Sequence, residues 1–126
     1  MSREPEQEEL YNQFAQEWSE VERLAKQIQA KIGRPVEVRP LKSGRWGFYA
    51  PKNFAFARKI KSRKCLRTST MEEWAIRAGI DRSRYCVRPT AFWGKPSADM
   101  CMNQDNVEIM EDVASILAKV CEARHR

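Results

Sequence analysis

Between Lys52 and Arg67 seven cationic side chains, Lys52, Arg58, Lys59, Lys61, Arg63, Lys64 and Arg67, occur without one acidic residue. Charges of one sign crowded into so short a stretch repel each other once folded. A polyanion relieves that repulsion and releases its own counterions. The chemistry this spacing implies is phosphate binding, with Arg82 and Arg84 adding charge further along. Aromatic residues are interleaved: Phe54 and Phe56 inside the basic stretch, Trp46, Phe48 and Tyr49 before it, Phe92 and Trp93 after it. Of these, Phe54, Phe56, Phe92 and Trp93 are candidates to stack on bases or to anchor an interface, while rings on the inner face of a hairpin are core.

The net charge of +6 over 126 residues hides a division. Residues 1–33 carry 4 Lys or Arg against 7 acids, residues 34–95 carry 16 against 4, and residues 96–126 carry 3 against 6. Two mildly acidic ends therefore bracket a middle of net charge +12.

Residues able to run catalysis are scarce. The single histidine, His125, lies one residue from the C-terminus, which leaves no Cys-His or Ser-His-Asp nucleophile set. The adjacent Glu72 and Glu73 suit a helix start, where negative charge is favoured, so they do not require a general acid and base. Five glycines form neither a phosphate-cradling loop nor a dinucleotide fingerprint. Cys65, Cys86, Cys101 and Cys121 contain no C-x-x-C pair, and a set of Cys86, Cys101, Cys121 and His125 has irregular spacing for zinc. The expectation is no cofactor, no metal and no enzyme activity. The four thiols read as free, buried cysteines of a cytoplasmic protein. The acidic N-terminus does not resemble a secretory signal, and charge-free stretches are far shorter than the ~20 apolar residues of a membrane span.

The elements that must position these residues can be read from periodicity. Across residues 6–32, Tyr11, Phe14, Trp18, Val21, Ala25, Ile28 and Ile32 form a heptad seam. That seam suits a core-facing helix or pairing with a second copy of the chain as a homodimer. Gly33 and Pro35 end it. Val36–Leu41 and Trp46–Ala50, joined by a loop containing Gly44, predict a β-hairpin, with Pro40 at an edge. Residues 53–64 fit either period, and their Ala and Lys content favours a helix capped by Asn53. Thr70-Met71-Glu72-Glu73 reads as a capping box opening a short helix that stops at Gly79. Arg84–Arg88 suggests a short strand, and Pro89, Gly94 and Pro96 mark a loop. Residues 104–124 form a last helix with a wide apolar face, expected between the first helix and the hairpin.

Two stretches resemble nucleic-acid modules. Lys52-Asn53-Phe54-Ala55-Phe56-Ala57 resembles the start of the aromatic octamer of RNA-recognition motifs, which implies Phe54 and Phe56 stacking on splayed bases. Asn53, Ala57 and Lys59 depart from that pattern. Glu73 to Tyr85 is similar to a helix-turn-helix core, which implies a turn at Gly79 and a second helix offering Arg82, Ser83 and Arg84 to the major groove. Pro89 keeps such a helix short.

The sequence thus predicts one α+β domain over residues 1–126: an acidic helix at 6–32, a basic middle at 34–95 and a helix at 104–124. In this reading, long N- and C-terminal helices pack on a small antiparallel hairpin sheet with one or two short helices between. The expected function is non-catalytic binding of DNA or RNA through Lys52, Arg58, Lys59, Lys61, Arg63, Lys64, Arg67, Arg82 and Arg84. The alternative is a small inhibitor or adaptor that docks an acidic surface of a larger nucleic-acid-processing machine.

Overall fold

The apolar seam at the start of the chain forms helix α1, Ala15–Ile32, and buries Val21, Leu24, Ala25 and Ile28. Gly33 closes it at φ 73°, where the Gly33 N–H donates to the Gln29 carbonyl at 2.9 Å. The computed structural model describes residues 15–41, 44–60, 65–92, 94–102 and 107–125. Residues 6–14 of the expected first helix lie outside them, so the described helix is shorter than 6–32.

Six strands follow, in place of the expected hairpin. They are β1 (Glu37–Pro40), β2 (Trp46–Tyr49), β3 (Asn53–Ile60), β4 (Cys65–Met71), β5 (Cys86–Phe92) and β6 (Lys95–Met102). All neighbours are antiparallel, in the order β1-β2-β3-β4-β6-β5. Helix α2 (Glu72–Arg77) and a 3-10 turn (Arg82–Arg84) separate β4 from β5, and α3 (Val107–Arg124) ends the described chain. The small sheet anticipated from the sequence is therefore a broad one. Both long helices pack on the same face of it. Helix α3 crosses β3, β4 and β6, and α1 lies beside α3 and reaches β1, so α3 is not sandwiched between α1 and the sheet.

Asn53–Ile60 is a strand, not the helix expected over residues 53–64; residues 61–64 lie outside the described set. Helix propensity differs by only a few tenths of a kcal/mol per residue. A central strand instead satisfies its backbone on both sides, here against β2 and β4, and buries Phe54, Ala55, Phe56 and Ala57. Strand β4 escaped notice because its inward residues include threonines. Thr68 and Thr70 are fully buried, and their hydroxyls donate to the carbonyls of Met100 (3.0 Å) and Phe54 (2.8 Å). This also removes the capping box: Thr70 is spent on β3, and Met71 occupies the α2 N-cap with no side-chain bond. The expected stop at Gly79 is present, with the Ile80 N–H donating to the Ala75 carbonyl at 3.0 Å.

The proposed loop around Pro89 and Pro96 is the β5–β6 hairpin. Pro89 is tolerated because β5 is an edge strand, and Ala98, Met100 and Met102 alternate inward along β6. Arg82–Arg84 is a single 3-10 turn capped by the Asp81 carboxylate, which accepts from the Ser83 N–H at 2.8 Å. No recognition helix follows it, so the helix-turn-helix resemblance does not carry into the fold. No helix among the described residues is long and apolar enough to cross a membrane.

All four cysteines are free thiols, but only Cys65 and Cys121 are buried as expected; Cys86 and Cys101, on the edge pair β5–β6, are exposed. Burial pushes the Cys121 thiol above its ordinary pKa. In native protein a maleimide should modify Cys86 and Cys101 within minutes and spare Cys65 and Cys121 until denaturant is added. Peptide mapping of the labelled sites checks the arrangement.

Candidate functional site

Alternation along each strand sends one set of side chains to the helices and the other to the opposite face. On that opposite face Arg58 of β3 stands directly across from Arg67 of β4. Like charges directly opposed on neighbouring strands disfavour the pairing. Two further arginines come to the same place. Arg45, in the β1–β2 turn, lies over the ring of Phe56 at 4.7 Å and near that of Phe92 at 5.7 Å. Arg88 of β5 bonds to Asp99 of β6 through Nε and, at 3.4 Å, through Nη2. Together with Ser69, these four arginines line a hollow of about 230 Å³.

The floor and supports of this hollow explain its placement. Phe56, Met71 and Phe92 form a second apolar cluster on this face, and the rings of Phe56 and Phe92 are 5.1 Å apart. Phe92 reaches it because the β5–β6 register shifts between Arg88 and Phe92. Gly44, at φ 84°, turns the β1–β2 connection so closely over the sheet that an added Cβ would sit 3.5 Å from the Arg58 guanidinium. Arg45 is thus held over an apolar floor beside its fellow cations. Its burial, and then the charges of Arg58 and Arg88, pull its guanidinium below the ordinary arginine value.

One carboxylate faces this cluster from β6. Asp99 is 6% exposed and is engaged by Arg88 and by the Ser97 hydroxyl, which donates at 2.8 Å. Arg67 Nε has no hydrogen-bond partner and is sealed from solvent, a rare condition for a charged donor.

The residues expected from sequence are thus divided among several places. Arg58 and Arg67 belong to the hollow. Lys59 points to the other face, where its Nζ meets the buried Glu20 carboxylate of α1 at 3.0 Å. Lys52 is exposed in the β2–β3 turn. Arg82 pairs with Glu72 at 3.5 Å and Arg84 with Asp112 at 4.0 Å, both at exposed guanidinium groups where ion pairs contribute little. Lys61, Arg63, Lys64 and Trp93 lie outside the described residues. Phe54 is fully buried in the main core, and Phe56 and Phe92 are 7% and 2% exposed, so these three rings are covered by the protein itself. Arg45 and Arg88 were not singled out from the sequence. Nothing local marks them, since their approach to Arg58 and Arg67 depends on long-range strand order.

The other chemically suggestive grouping is at the C-terminus of α3. Cys121 Sγ lies 3.7 Å from His125 Nδ1. The Lys52 N–H donates to His125 Nε2 at 3.0 Å, which makes Nε2 an acceptor and places the ring proton on Nδ1, 2.7 Å from the Cys121 carbonyl. Nε2 thus ties the helix end to the β2–β3 turn while Nδ1 bonds back within α3, and neither nitrogen is left to serve the thiol as a base. Among the described residues no group of three His, Cys, Asp or Glu is placed to hold a metal. A hollow of about 300 Å³ between the β5–β6 pair and α3 has Arg84 together with Asp99 and Asp112 in its lining and so lacks a cationic bias.

No family model matches this chain, nor does any curated protein or solved structure. The geometry stands without a relative to interpret it.

The Lys59–Glu20 pair has a stability consequence separate from the hollow. Removing the lysine, as in Lys59→Met, takes away the ammonium that balances a buried carboxylate. The expected cost is about 2–3 kcal/mol, below the value for a fully buried pair because Lys59 keeps a quarter of its surface exposed. For a chain of this size that lowers Tm by about 6–10 °C. Combining it with Glu20→Met should regain most of the loss, and thermal melts followed by circular dichroism measure both.

Proposed function

We propose that this chain is a non-catalytic nucleic-acid-binding protein of the cytoplasm, and that it takes an unpaired strand on the arginine-bearing face of its sheet. The observation that carries this reading is the opposition of Arg58 and Arg67 across β3 and β4, with Arg45 and Arg88 brought to the same hollow. Folding alone disfavours that arrangement, whereas phosphate oxygens offset it. Planar guanidinium groups donate in pairs to phosphate and are the preferred side chains for that contact. The hollow is smaller than the pockets that enclose drug-sized ligands. It suits a phosphate with part of its sugar, which a flexible single strand can lower into place.

The phosphate contacts assigned in this reading are Arg45, Arg58, Arg67 and Arg88. Phe54, Phe56 and Phe92 have structural places in the two apolar clusters, and the reading needs no stacking from them.

Fluorescence anisotropy with a labelled single strand of about 20 nucleotides tests this directly. Binding should be tighter than about 10 μM at 50 mM salt. If three or four phosphates are engaged, the logarithm of affinity should fall against the logarithm of salt with a slope of about −2 to −3. Charge reversal at the exposed position, Arg58→Glu, should weaken binding several-fold, with a thermal melt checking that the fold is kept. No binding tighter than about 100 μM at 50 mM salt would remove the proposal. Slower association with a captured acidic protein, with nucleic acid unaffected, would favour the adaptor alternative.

A further inference from the structure

The arginine hollow adjoins the larger one beside α3. Arg67, in the lining of the first, stands directly opposite Cys101 of β6, which lines the second. Arg88 of the first is bonded to Asp99, which also lines the second. Side chains directly opposed on neighbouring antiparallel strands lie ~4.5–5.5 Å apart at Cβ, so a phosphate in one hollow and its own base in the other are within reach of each other. The two differ in chemistry. Met100 of β6 and Ile109, Val113 and Ile116 of α3 give the larger hollow apolar walls. The ring of Tyr85 is another wall, held by the bond from its hydroxyl to Glu72 at 3.0 Å. The polar part of the lining sets the single cation Arg84 against the carboxylates of Asp99 and Asp112. A phosphate gains nothing there, whereas a flat uncharged ring finds apolar walls for its faces and acceptors for its edge.

We propose that the larger hollow receives one unstacked base of the bound strand and favours a base that carries an exocyclic amino group; this rests on the strand binding proposed above. The volume of about 300 Å³ is at the lower end of ligand pockets, a space for one base rather than a stack. An unpaired strand turns a base out of line at small cost, since no pairing has to be broken. Asp99 is already engaged by Arg88 and by the Ser97 hydroxyl. The selecting group is therefore Asp112, 69% exposed at the rim with Arg84 4.0 Å away. An ionised carboxylate only accepts hydrogen bonds. It takes one from the amino group of cytosine, adenine or guanine, whereas thymine and uracil present an acceptor oxygen in the place of cytosine's amino group and are turned away. The arginines hold the backbone of any strand, and the neighbouring hollow makes the protein selective among strands.

Labelled strands of equal length and charge made of cytosine, thymine or abasic units separate base reading from phosphate binding. They are compared by anisotropy at about 100 mM salt, at a slightly alkaline pH that keeps cytosine neutral. The cytosine strand should bind at least about fivefold tighter than the thymine strand, with the abasic strand no tighter than thymine. Asp112→Asn, at an exposed position, should bring that preference below about twofold, because an amide donates to the thymine oxygen as well as accepting. Binding of the abasic strand should be unchanged in this variant. Ser83→Tyr, also exposed and in the lining, fills the hollow and should remove the preference in the same way; thermal melts show that each variant is folded. Equal binding of all three strands, with the salt dependence intact, overturns this inference and leaves the phosphate reading standing. A cytosine preference that survives both variants overturns the hollow as its seat. If no strand binds, the function proposed above fails and this inference fails with it.

Discussion

A six-stranded sheet has two faces, and among the described residues the two long helices cover one of them. Everything else in the molecule follows from that asymmetry. The covered face takes Trp46, Phe48, Ala57, Leu66, Ala98 and Met100 into one core with α1 and α3. The opposite face must be made compatible with water by other means. At the β1–β2 edge this is done by the Arg39 guanidinium over the Tyr49 ring at 4.4 Å, with Glu37 paired to Arg39 at 2.8 Å. In the middle, the Phe56–Met71–Phe92 cluster is roofed by Arg45, and around it stand Arg58, Arg67 and Arg88. An antiparallel sheet often leaves one face to solvent. This one makes that face strongly cationic, even setting two arginines directly opposite each other.

Polar groups inside the core show how the rest of the fold tolerates this. Thr68 and Thr70 are satisfied by carbonyls of neighbouring strands, and the Tyr85 hydroxyl donates to the buried Glu72 at 3.0 Å. Glu20 is matched by Lys59 reaching through from the sheet. These internal polar groups each have a partner, in keeping with the cost of leaving one unmet. Among the described residues the Nε atoms of Arg67 and Arg124 are the contrast, and that of Arg67 belongs to a residue lining the hollow.

Much of the helical layer was legible from spacing, because an amphipathic helix records its buried stripe within a few turns of itself. The seam through Val21, Leu24, Ala25 and Ile28 and the broad face through Val113, Leu117 and Val120 are buried as read. The first hairpin was legible for the same local reason. Strands β3, β4 and β6 were not, since alanine, lysine and threonine do not announce a strand and only flanking partners made them one. The candidate site shared that fate. The excess of positive charge in the middle of the chain could be counted, and Arg58 and Arg67 were named. Lys59, one residue from Arg58, went to the opposite face, because successive strand residues point in opposite directions.

Composition and local pattern alone determined a basic middle between acidic ends, two amphipathic helices, an edge hairpin and a scarcity of catalytic groups. Tertiary structure decided which cations meet. Arg45, Arg58, Arg67 and Arg88 are spread over more than forty residues of chain and converge because β4 lies between β3 and β6, while β5 folds its arginine back toward β4. Sequence reports charge as a density along a line. A sheet converts that line into two faces and a register, and the register chooses the neighbours that repel each other or share a ligand.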